Sequence, residues 1–209
     1  GPYLSSKYCG AHDPKLLKSP TLNEVKMLLD AGKGLIKMKT LAPELPGAIE
    51  VIKYLSNQGV VVAIGHSAAN ANETAEAISA GATVVTHFNN AMAKLGASDS
   101  LSELALKSDI FLELIQDGNH VSAADTFSIV TKAPNRIVAV TDAMAAAGVA
   151  DGDYRIGDLP VTVKDKVAKI AGTNTLAGST LTMFDAFLNI NRVFTQKMGS
   201  FWGRFLSIY

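Results

Sequence analysis

The stretch VVVAIGHSAANANETAEAISAGATVVTHFNNAM, residues 60–92, decides the fold. Its continuous apolar run at 60–64 is typical of a strand buried on both faces of a parallel sheet, and it ends just before His66. A helix-like segment at 73–80 follows, and a second β-branched run ends at His87. The repeated order of strand, histidine and helix predicts parallel strands that are joined by crossover helices.

The same order extends to both sides of this stretch. Further strands are predicted at 35–39, 110–115 and 136–141, and helices at about 21–31, 49–58, 101–107, 122–132 and 181–194. In such folds ligands bind at the carboxyl ends of the strands, and convergence of several polar residues there favours a barrel over an open sheet. The predicted strands are fewer than a closed barrel needs, so the sequence predicts an α/β fold that is the later part of a (β/α) barrel.

We predict one domain over residues 1–209, an incomplete (β/α) barrel. A chain of 209 residues and 22.0 kDa is long enough for one sizeable core. Residues 153–172 alternate in short β-like pieces around a Gly-Asp pair, which predicts a β-hairpin insertion within that domain.

The composition argues against several classes of partner. The 19 basic and 19 acidic residues cancel, so no overall charge attracts nucleic acid or an anionic membrane, and we expect neither as a partner. The single cysteine, Cys9, forms no internal disulfide, which favours a cytoplasmic location. No apolar stretch approaches the roughly 20 residues that a membrane-spanning helix needs. The chain does not begin with methionine, so we expect residues to precede Gly1.

Polar side chains follow the predicted strands where a barrel places its chemistry. His66 and His87 follow neighbouring strands and can bind one divalent ion through neutral imidazole, which suits zinc. A catalytic site of this kind needs about three protein ligands and one open position. Asp142, after the last strand of the series, is either the third ligand or the general base that acts on water.

Each candidate also has a purely structural interpretation. A single histidine at a strand end is more often a capping or packing residue than a ligand, and Asp142 could cap the turn after IVAVT. His12 in GAHDP fits a turn. Glu44 fits a cap of the following helix, and Asn90 fits an ordinary loop.

An ordered set of short motifs resembles the N-acetylglucosamine-6-phosphate deacetylase family of metal-dependent amidohydrolases. In chain order the motifs are GP (1–2), GAH (10–12), TLAPE (40–44), GHS (65–67), THFNNAM (86–92), DGNH (117–120), VTDAM (140–144) and GTNTLAGSTLTM (172–183). The resemblance implies strands 4 to 8 of a TIM-like (β/α)8 metal-dependent hydrolase barrel, in a chain that lacks the N-terminal part of the family's barrel. It also implies that N-acetylglucosamine 6-phosphate is deacetylated to glucosamine 6-phosphate and acetate.

The resemblance further implies a role for each matching residue. His66 and His87 are the metal ligands, with zinc as the expected divalent ion, and Asp142 is the base that activates water and then protonates the departing amine. The expected substrate-binding residues are His12, which positions or polarises the acetamide carbonyl, and Asn90, Ala91 and His120, which contact the sugar phosphate. The whole protein is expected to be a homodimer that binds a small amino-sugar phosphate.

Two departures from the family's pattern leave other functions open. The family's remaining metal ligand is a glutamate that would precede Gly1, and without it the metal affinity is expected to fall. The loop after Met92 lacks the arginine that grips the phosphate, and Lys94 is its only cation. The alternatives are an amidohydrolase that acts on another acylated amino sugar or a cyclic amide, or a non-catalytic truncated barrel fragment. The stretch at 197–209 does not resemble the family's continuation.

Overall fold

The computed structural model of the protein describes residues 2–206, and within the last helix it describes side chains only as far as Val193 and at Thr195. The chain forms two compact units, Gly1–Glu113 and Leu114–Tyr209. Gly1 of the GP motif and residues 207–209 of the C-terminal stretch lie outside the described residues.

The first unit alternates parallel strands with helices. Its strands are β1 (Met38–Leu41), β2 (Val61–Ile64), β3 (Ala82–Val85) and the start of β4 (Phe111–Ile115); its helices are α1 (Leu22–Gly32), α2 (Ala48–Asn57), α3 (Ala71–Ala80) and α4 (Leu101–Lys107). Two single turns of 3₁₀-helix, Ser6–Tyr8 and Pro14–Leu16, precede them. The register aligns Leu41 with Ile64, Ile64 with Val85, and Val85 with Leu112.

Local sequence explains where these helices begin and what they bury. The Thr21 hydroxyl accepts the N–H of Glu24 at 3.3 Å and begins α1, and Asn70 and Glu73 form a capping box at the start of α3. α2 buries Val51 and Ile52, which lie on its apolar face. These features fix the helices that hold the strand ends in place.

The second unit contains the remaining elements, which are α5 (Ala123–Lys132), β5 (Ile137–Val140), β6 (Gly152–Ile156), β7 (Leu159–Lys164), β8 (Val167–Ile170) and α6 (Met183–Leu206). β5 completes a five-stranded sheet in which the strands follow chain order, β1 to β5. A small core joins Ile115 to Leu181 and Ala186, with Val140 packed against it. The range predicted as a hairpin forms a three-stranded antiparallel sheet, β6–β7–β8, so a third strand joins the predicted pair.

The first strand lies later in the chain than the sequence predicted. The prediction of 35–39 was wrong, because Leu35 is 83% exposed and pairing with β2 begins at Met38, opposite Val61. The predicted last helix, 181–194, begins instead at Met183 and continues to Leu206. None of the described helices is long and apolar enough to cross a membrane.

Candidate functional site

Three of the predicted site residues share an unusual backbone conformation directly after a strand. His66, His87 and Asp142 have φ angles of +47°, +31° and +48°, which lie in the left-handed region. For residues other than glycine this region costs about 1–2 kcal/mol, and such strain is concentrated at functional sites. The left-handed backbone agrees with the motifs at these positions, although Lys33 and Asp165, outside the predicted site, share it.

Two glycines of the GHS and GAH motifs make room around His66. A Cβ atom on Gly65 would lie 2.9 Å from the Cβ of Thr86, so only glycine lets the ends of β2 and β3 approach this closely. Gly10 has a φ of +59°, and a Cβ atom there would lie 3.1 Å from Cε1 of the His66 ring. The GAH motif thus owes its glycine to the His66 ring, and the GHS motif owes its glycine to the close approach of Thr86.

The rings of His66 and His87 converge. Their Nε2 atoms lie 2.9 Å apart, and the rings meet edge to face with centroids separated by 4.6 Å. Nδ1 of His66 lies 2.8 Å from the carbonyl oxygen of Tyr8, which can only accept a hydrogen bond. A neutral His66 therefore carries its proton on Nδ1 and directs the lone pair of Nε2 toward His87.

The surroundings of His66 keep its ring neutral. Burial and, to a smaller extent, the nearby rings of His87 and His12 lower the pKa of His66 to about 4, although the hydrogen bond to Tyr8 opposes them. Neutral imidazole is the form that binds a metal ion. His66 is thus in the protonation state that a metal ligand needs at neutral pH.

The separation of the two nitrogens also fits a metal ion. Two imidazole nitrogens at about 2.0–2.1 Å from a tetrahedral ion lie roughly 3.3 Å apart, so the hydrogen-bond distance of 2.9 Å between the two Nε2 atoms needs to widen only slightly for an ion to bind. Within residues 2–206 no group of three or more histidine, cysteine, aspartate or glutamate side chains is arranged to hold an ion. The two histidines are the part of such a site that the described chain provides.

His12 joins this pair as a third ring. It is exposed, its ring centroid lies 4.7 Å from that of His66, and its Nδ1 donates to the carbonyl of Cys9 at 3.0 Å. The backbone N–H of His12 donates to the same carbonyl at 3.1 Å, so the residue does lie in a turn. Within the first unit, the structure therefore brings together His12, His66 and His87.

The loop after β3 holds the predicted substrate contacts. Asn90 donates from Nδ2 to the carbonyl of Phe88 at 3.3 Å, and the carbonyl of Ala91 accepts the N–H of Ser67 at 3.1 Å. The ammonium group of Lys94 donates to the Asn89 carbonyl and, at 3.3 Å, to Oδ1 of Asn90. The cation of this loop thus lies beside one of the predicted contacts.

The second unit carries the other two predicted residues. His120 is buried, and its Nδ1 donates to Oδ2 of Asp117 at 2.8 Å, which leaves Nε2 for a ligand. Asp142 is exposed directly after β5, and its carbonyl accepts the N–H of Ser179 at 2.7 Å.

The structure reveals two contributors that sequence reasoning missed. Tyr8 acts through its backbone carbonyl, which no sequence pattern shows. Glu44 is not a helix cap, since α2 has Gly47 as its N-cap with no side-chain cap bond, and the Glu44 carboxylate binds Ser67 and Ala68 instead. The only signal for Glu44 in the sequence is its place in the TLAPE motif.

Comparison with known proteins gives a consistent set of relatives. The chain is 37% identical over 192 residues to N-acetylgalactosamine-6-phosphate deacetylase of Escherichia coli O157:H7, covering 91% of this chain and 51% of that protein. It is 32% identical over 204 residues to N-acetylglucosamine-6-phosphate deacetylase of Vibrio furnissii, covering 97% of this chain and 51% of that protein. No protein-family model matches it.

A solved structure shows the same relationship in three dimensions. N-acetyl-D-glucosamine-6-phosphate deacetylase from Mycobacterium smegmatis, in a variant that replaces an aspartate by alanine and in complex with N-acetyl-D-glucosamine-6-phosphate, is 44% identical with a TM-score of 0.87. The match covers 90% of this chain and 50% of that one, so the chain spans about half the length of the relatives it matches. The predicted fold class, α/β with a partial (β/α)8 barrel, is confirmed.

Proposed function

Because the chain belongs to the N-acetylglucosamine-6-phosphate deacetylase family over the nine-tenths of its length that aligns, we propose that it contributes a catalytic site for hydrolysis of N-acetylglucosamine 6-phosphate. The products are glucosamine 6-phosphate and acetate. The observation that carries the proposal is the convergence of the His66 and His87 Nε2 atoms at 2.9 Å. The substrate bound to the Mycobacterium smegmatis relative supports the substrate class.

His66 and His87 hold a divalent ion in this proposal, and zinc is one of the ions that imidazole ligands suit. Deacetylases of this family are metal-dependent amidohydrolases. When bound, the ion supplies Lewis acidity that polarises the amide carbonyl and makes water more acidic. The Tyr8 carbonyl prepares His66 for this role, because it fixes the tautomer whose Nε2 lone pair is available.

Asp142 moves the proton in the proposed reaction. It takes a proton from the attacking water, whose oxygen forms the new bond to the acetyl carbon. An amide does not expel a bare amine anion, so Asp142 returns the proton to the nitrogen as the C–N bond breaks. The exposed position of Asp142 after β5 and its place in the VTDAM motif support this assignment.

The hydrogen-bond donors and acceptors of these residues determine which part of the substrate each can contact. Phosphate oxygens accept hydrogen bonds, so Asn90 binds them through Nδ2, Ala91 through its N–H, and Lys94 adds a positive charge. His12 is held by the bond from its Nδ1 to the Cys9 carbonyl and positions the acetamide carbonyl. His120, with its ring fixed by Asp117, completes the set of sugar-phosphate contacts.

Replacement of Asp142 by asparagine in the whole protein tests the proposal. We expect acetate release from N-acetylglucosamine 6-phosphate to fall by about 10²–10⁴-fold, the usual contribution of a general acid–base group, while the metal content stays the same. Asp158→Asn is the matched control, because that aspartate is fully exposed in the turn between β6 and β7. Unchanged turnover in the Asp142 variant would reject the assignment, and loss of metal would make Asp142 a ligand instead of a base.

A second candidate substrate is the galactose epimer, N-acetylgalactosamine 6-phosphate. The Escherichia coli O157:H7 relative, which is 37% identical to this chain, is named for that compound. Values of kcat/KM for the two epimers decide between the candidates, and unphosphorylated N-acetylglucosamine tests the need for phosphate. If removal of the phosphate leaves kcat/KM unaltered, the sugar-phosphate proposal fails and the alternative of another acylated amino sugar gains support.

The homodimer and the cytoplasmic location stay predictions. Light scattering of the whole protein tests the first, and cell fractionation tests the second. Metal analysis of the purified 209-residue chain tests the alternative of a non-catalytic fragment, which stoichiometric, tightly bound zinc would contradict.

A further inference from the structure

Glu44, in the loop after β1, binds the loop that carries His66. Its Oε2 accepts the hydroxyl of Ser67 at 2.7 Å, and its Oε1 accepts the N–H of Ala68 at 2.6 Å. We propose that Glu44 is a positioning residue, which fixes the His66 imidazole by holding the backbone directly after it. The consequence for catalysis rests on the proposed function, in which His66 binds the metal ion.

The backbone at His66 needs such a support. Its φ of +47° is costly for a histidine and persists only where neighbouring contacts enforce it. The His66 carbonyl accepts the N–H of Ser5 at 2.8 Å, and the next amide, that of Ser67, donates to the Ala91 carbonyl at 3.1 Å. Glu44 adds the only charged group among these contacts, and hydrogen bonds to a carboxylate are roughly twice as strong as those between neutral groups.

The hydroxyl of Ser67 shows why position 44 requires a carboxylate. Ser67 is 1% exposed, and its Oγ accepts the N–H of Ala69 at 3.0 Å, so its proton points to Glu44. Glu44 therefore faces two donors, one from Ser67 and one from Ala68. An amide of the same shape has only one oxygen, and its NH₂ group would face the second donor. Glu44→Gln thus loses the charge and the bond that Ser67 donates, because its one oxygen is needed by the Ala68 N–H, and it keeps the volume of the side chain.

The same contacts exclude the other roles of Glu44. It does not cap α2, whose N-cap is Gly47. Each of its oxygens accepts a donor of the loop at Ser67 and Ala68, which directs the carboxylate to that loop. Its effect on the chemistry is therefore transmitted by His66.

The test compares Glu44→Gln with Asp125→Asn in the whole protein. Asp125 is a matched control, because its Oδ2 accepts the hydroxyl of Ser122 at 2.8 Å in the cap of α5, so the same chemical change is made in the second unit. The first readout is the ¹⁵N spectrum of the His66 ring after metal removal by a chelator. We expect a single Nδ1–H tautomer in the wild type and in the control, and a mixture of tautomers in Glu44→Gln.

The second readout is the zinc dissociation constant, measured by competition with a chelator. Partners that orient a metal ligand typically contribute about 10–100-fold in affinity, and we expect a loss in this range for Glu44→Gln and none for the control. Ser67→Ala, which removes only the hydroxyl, replaces Glu44→Gln in this test if that variant does not fold. The losses of zinc affinity caused by the two substitutions should not add in the double variant. Glu44→Ala removes both acceptors, and faster hydrogen exchange of the Ala68 amide in that variant shows that the contact has been broken.

An unchanged His66 spectrum in Glu44→Ala, together with faster exchange at Ala68, would overturn the proposal. The ring readout needs neither zinc nor substrate, so it decides the role of Glu44 even if the wild type releases no acetate. In that case the proposed function fails, and the spectrum of the His66 ring alone decides whether Glu44 positions it.

Discussion

His66 and His87 are 21 positions apart in the chain, yet their Nε2 atoms lie 2.9 Å apart. β2 and β3 produce this contact, because they pair in parallel with Ile64 aligned to Val85 and each ends just before its histidine. The hydrogen bond from His66 to the Tyr8 carbonyl then determines which nitrogen faces inward. The pairing of β2 with β3 and the hydrogen bond to the Tyr8 carbonyl together place the two imidazoles where they can bind one ion.

Replacement of either histidine of the pair should remove the metal. We expect His66→Gln and His87→Gln each to weaken zinc binding by more than about 100-fold, since even a residue that only supports a ligand contributes about 10–100-fold. His12→Gln should keep the metal and lose turnover, because its ring contacts His66 by its edge and its Nδ1 is bonded to Cys9. Metal analysis and acetate release measure the two effects, and equal metal loss in all three variants would contradict the assignment.

Lys94 should determine the preference for a phosphorylated substrate. Lys94→Met removes the charge beside Asn90, and we expect KM for N-acetylglucosamine 6-phosphate to rise about tenfold, as for the loss of one charged hydrogen bond. The constants for the unphosphorylated sugar should stay the same. Lys53→Met, at an exposed position of α2, is the control. An equal change for both sugars would show that Lys94 acts on the loop and not on phosphate.

Gly65 should tolerate no side chain. Gly65→Ala places a Cβ 2.9 Å from that of Thr86, and we expect a loss of about 1–3 kcal/mol in the free energy of unfolding, as for other overpacked sites, together with weaker zinc binding. Gly34→Ala is the comparison, since φ there is +78° and no atom lies within 4 Å of the added Cβ. That variant should lose stability through backbone strain alone. Unaltered zinc affinity in Gly65→Ala would show that the strand ends can separate without moving the histidines.

Asp117 should make stability depend on acid pH. Burial raises the pKa of this carboxyl, but hydrogen bonds from the ring and backbone N–H of His120 outweigh burial, and the pKa lies below the ordinary value of 3.8. The folded state therefore binds fewer protons than the unfolded state in this range. The stabilisation is complete above the unfolded pKa and is lost as the pH falls through the folded pKa.

Urea unfolding at a series of pH values measures this effect. The wild type should lose stability more steeply below pH 3.8 than Asp117→Asn, which has no carboxylate to protonate. Asp158→Asn, at a fully exposed position, should follow the wild type. Parallel curves for Asp117→Asn and the wild type would contradict the proposed contribution of His120.

Much of the fold could be predicted because strand and helix signals agree along the chain. The apolar run before His66 is β2 to within one residue, and the helix predicted at 101–107 is α4. β1 was misplaced because Leu35 to Lys39 alternates like a strand, whereas the pairing partner on β2, which a local pattern does not show, selects Met38–Leu41. The third strand of the small antiparallel sheet was missed for the same reason, since its pairing is tertiary.

The site was predictable only in part. The polar residue after each strand predicted that His66 and His87 would lie together, and the structure brings them together. Backbone groups such as the Tyr8 carbonyl have no sequence signature, and the partners of Glu44 lie more than twenty positions away. Residues that support a metal-binding histidine are thus harder to identify from a sequence than the histidine itself.

The left-handed backbone at His66, His87 and Asp142 lowers the stability of the protein at positions whose side chains the proposed reaction requires. Glycine adopts this conformation freely, so a glycine at any of the three positions relieves about 1–2 kcal/mol of strain. A mutant library that is sorted only for thermal resistance or expression would therefore enrich glycine at these codons. Engineering of this protein consequently needs a selection for activity at every round, because its most stable variants are expected to lack activity.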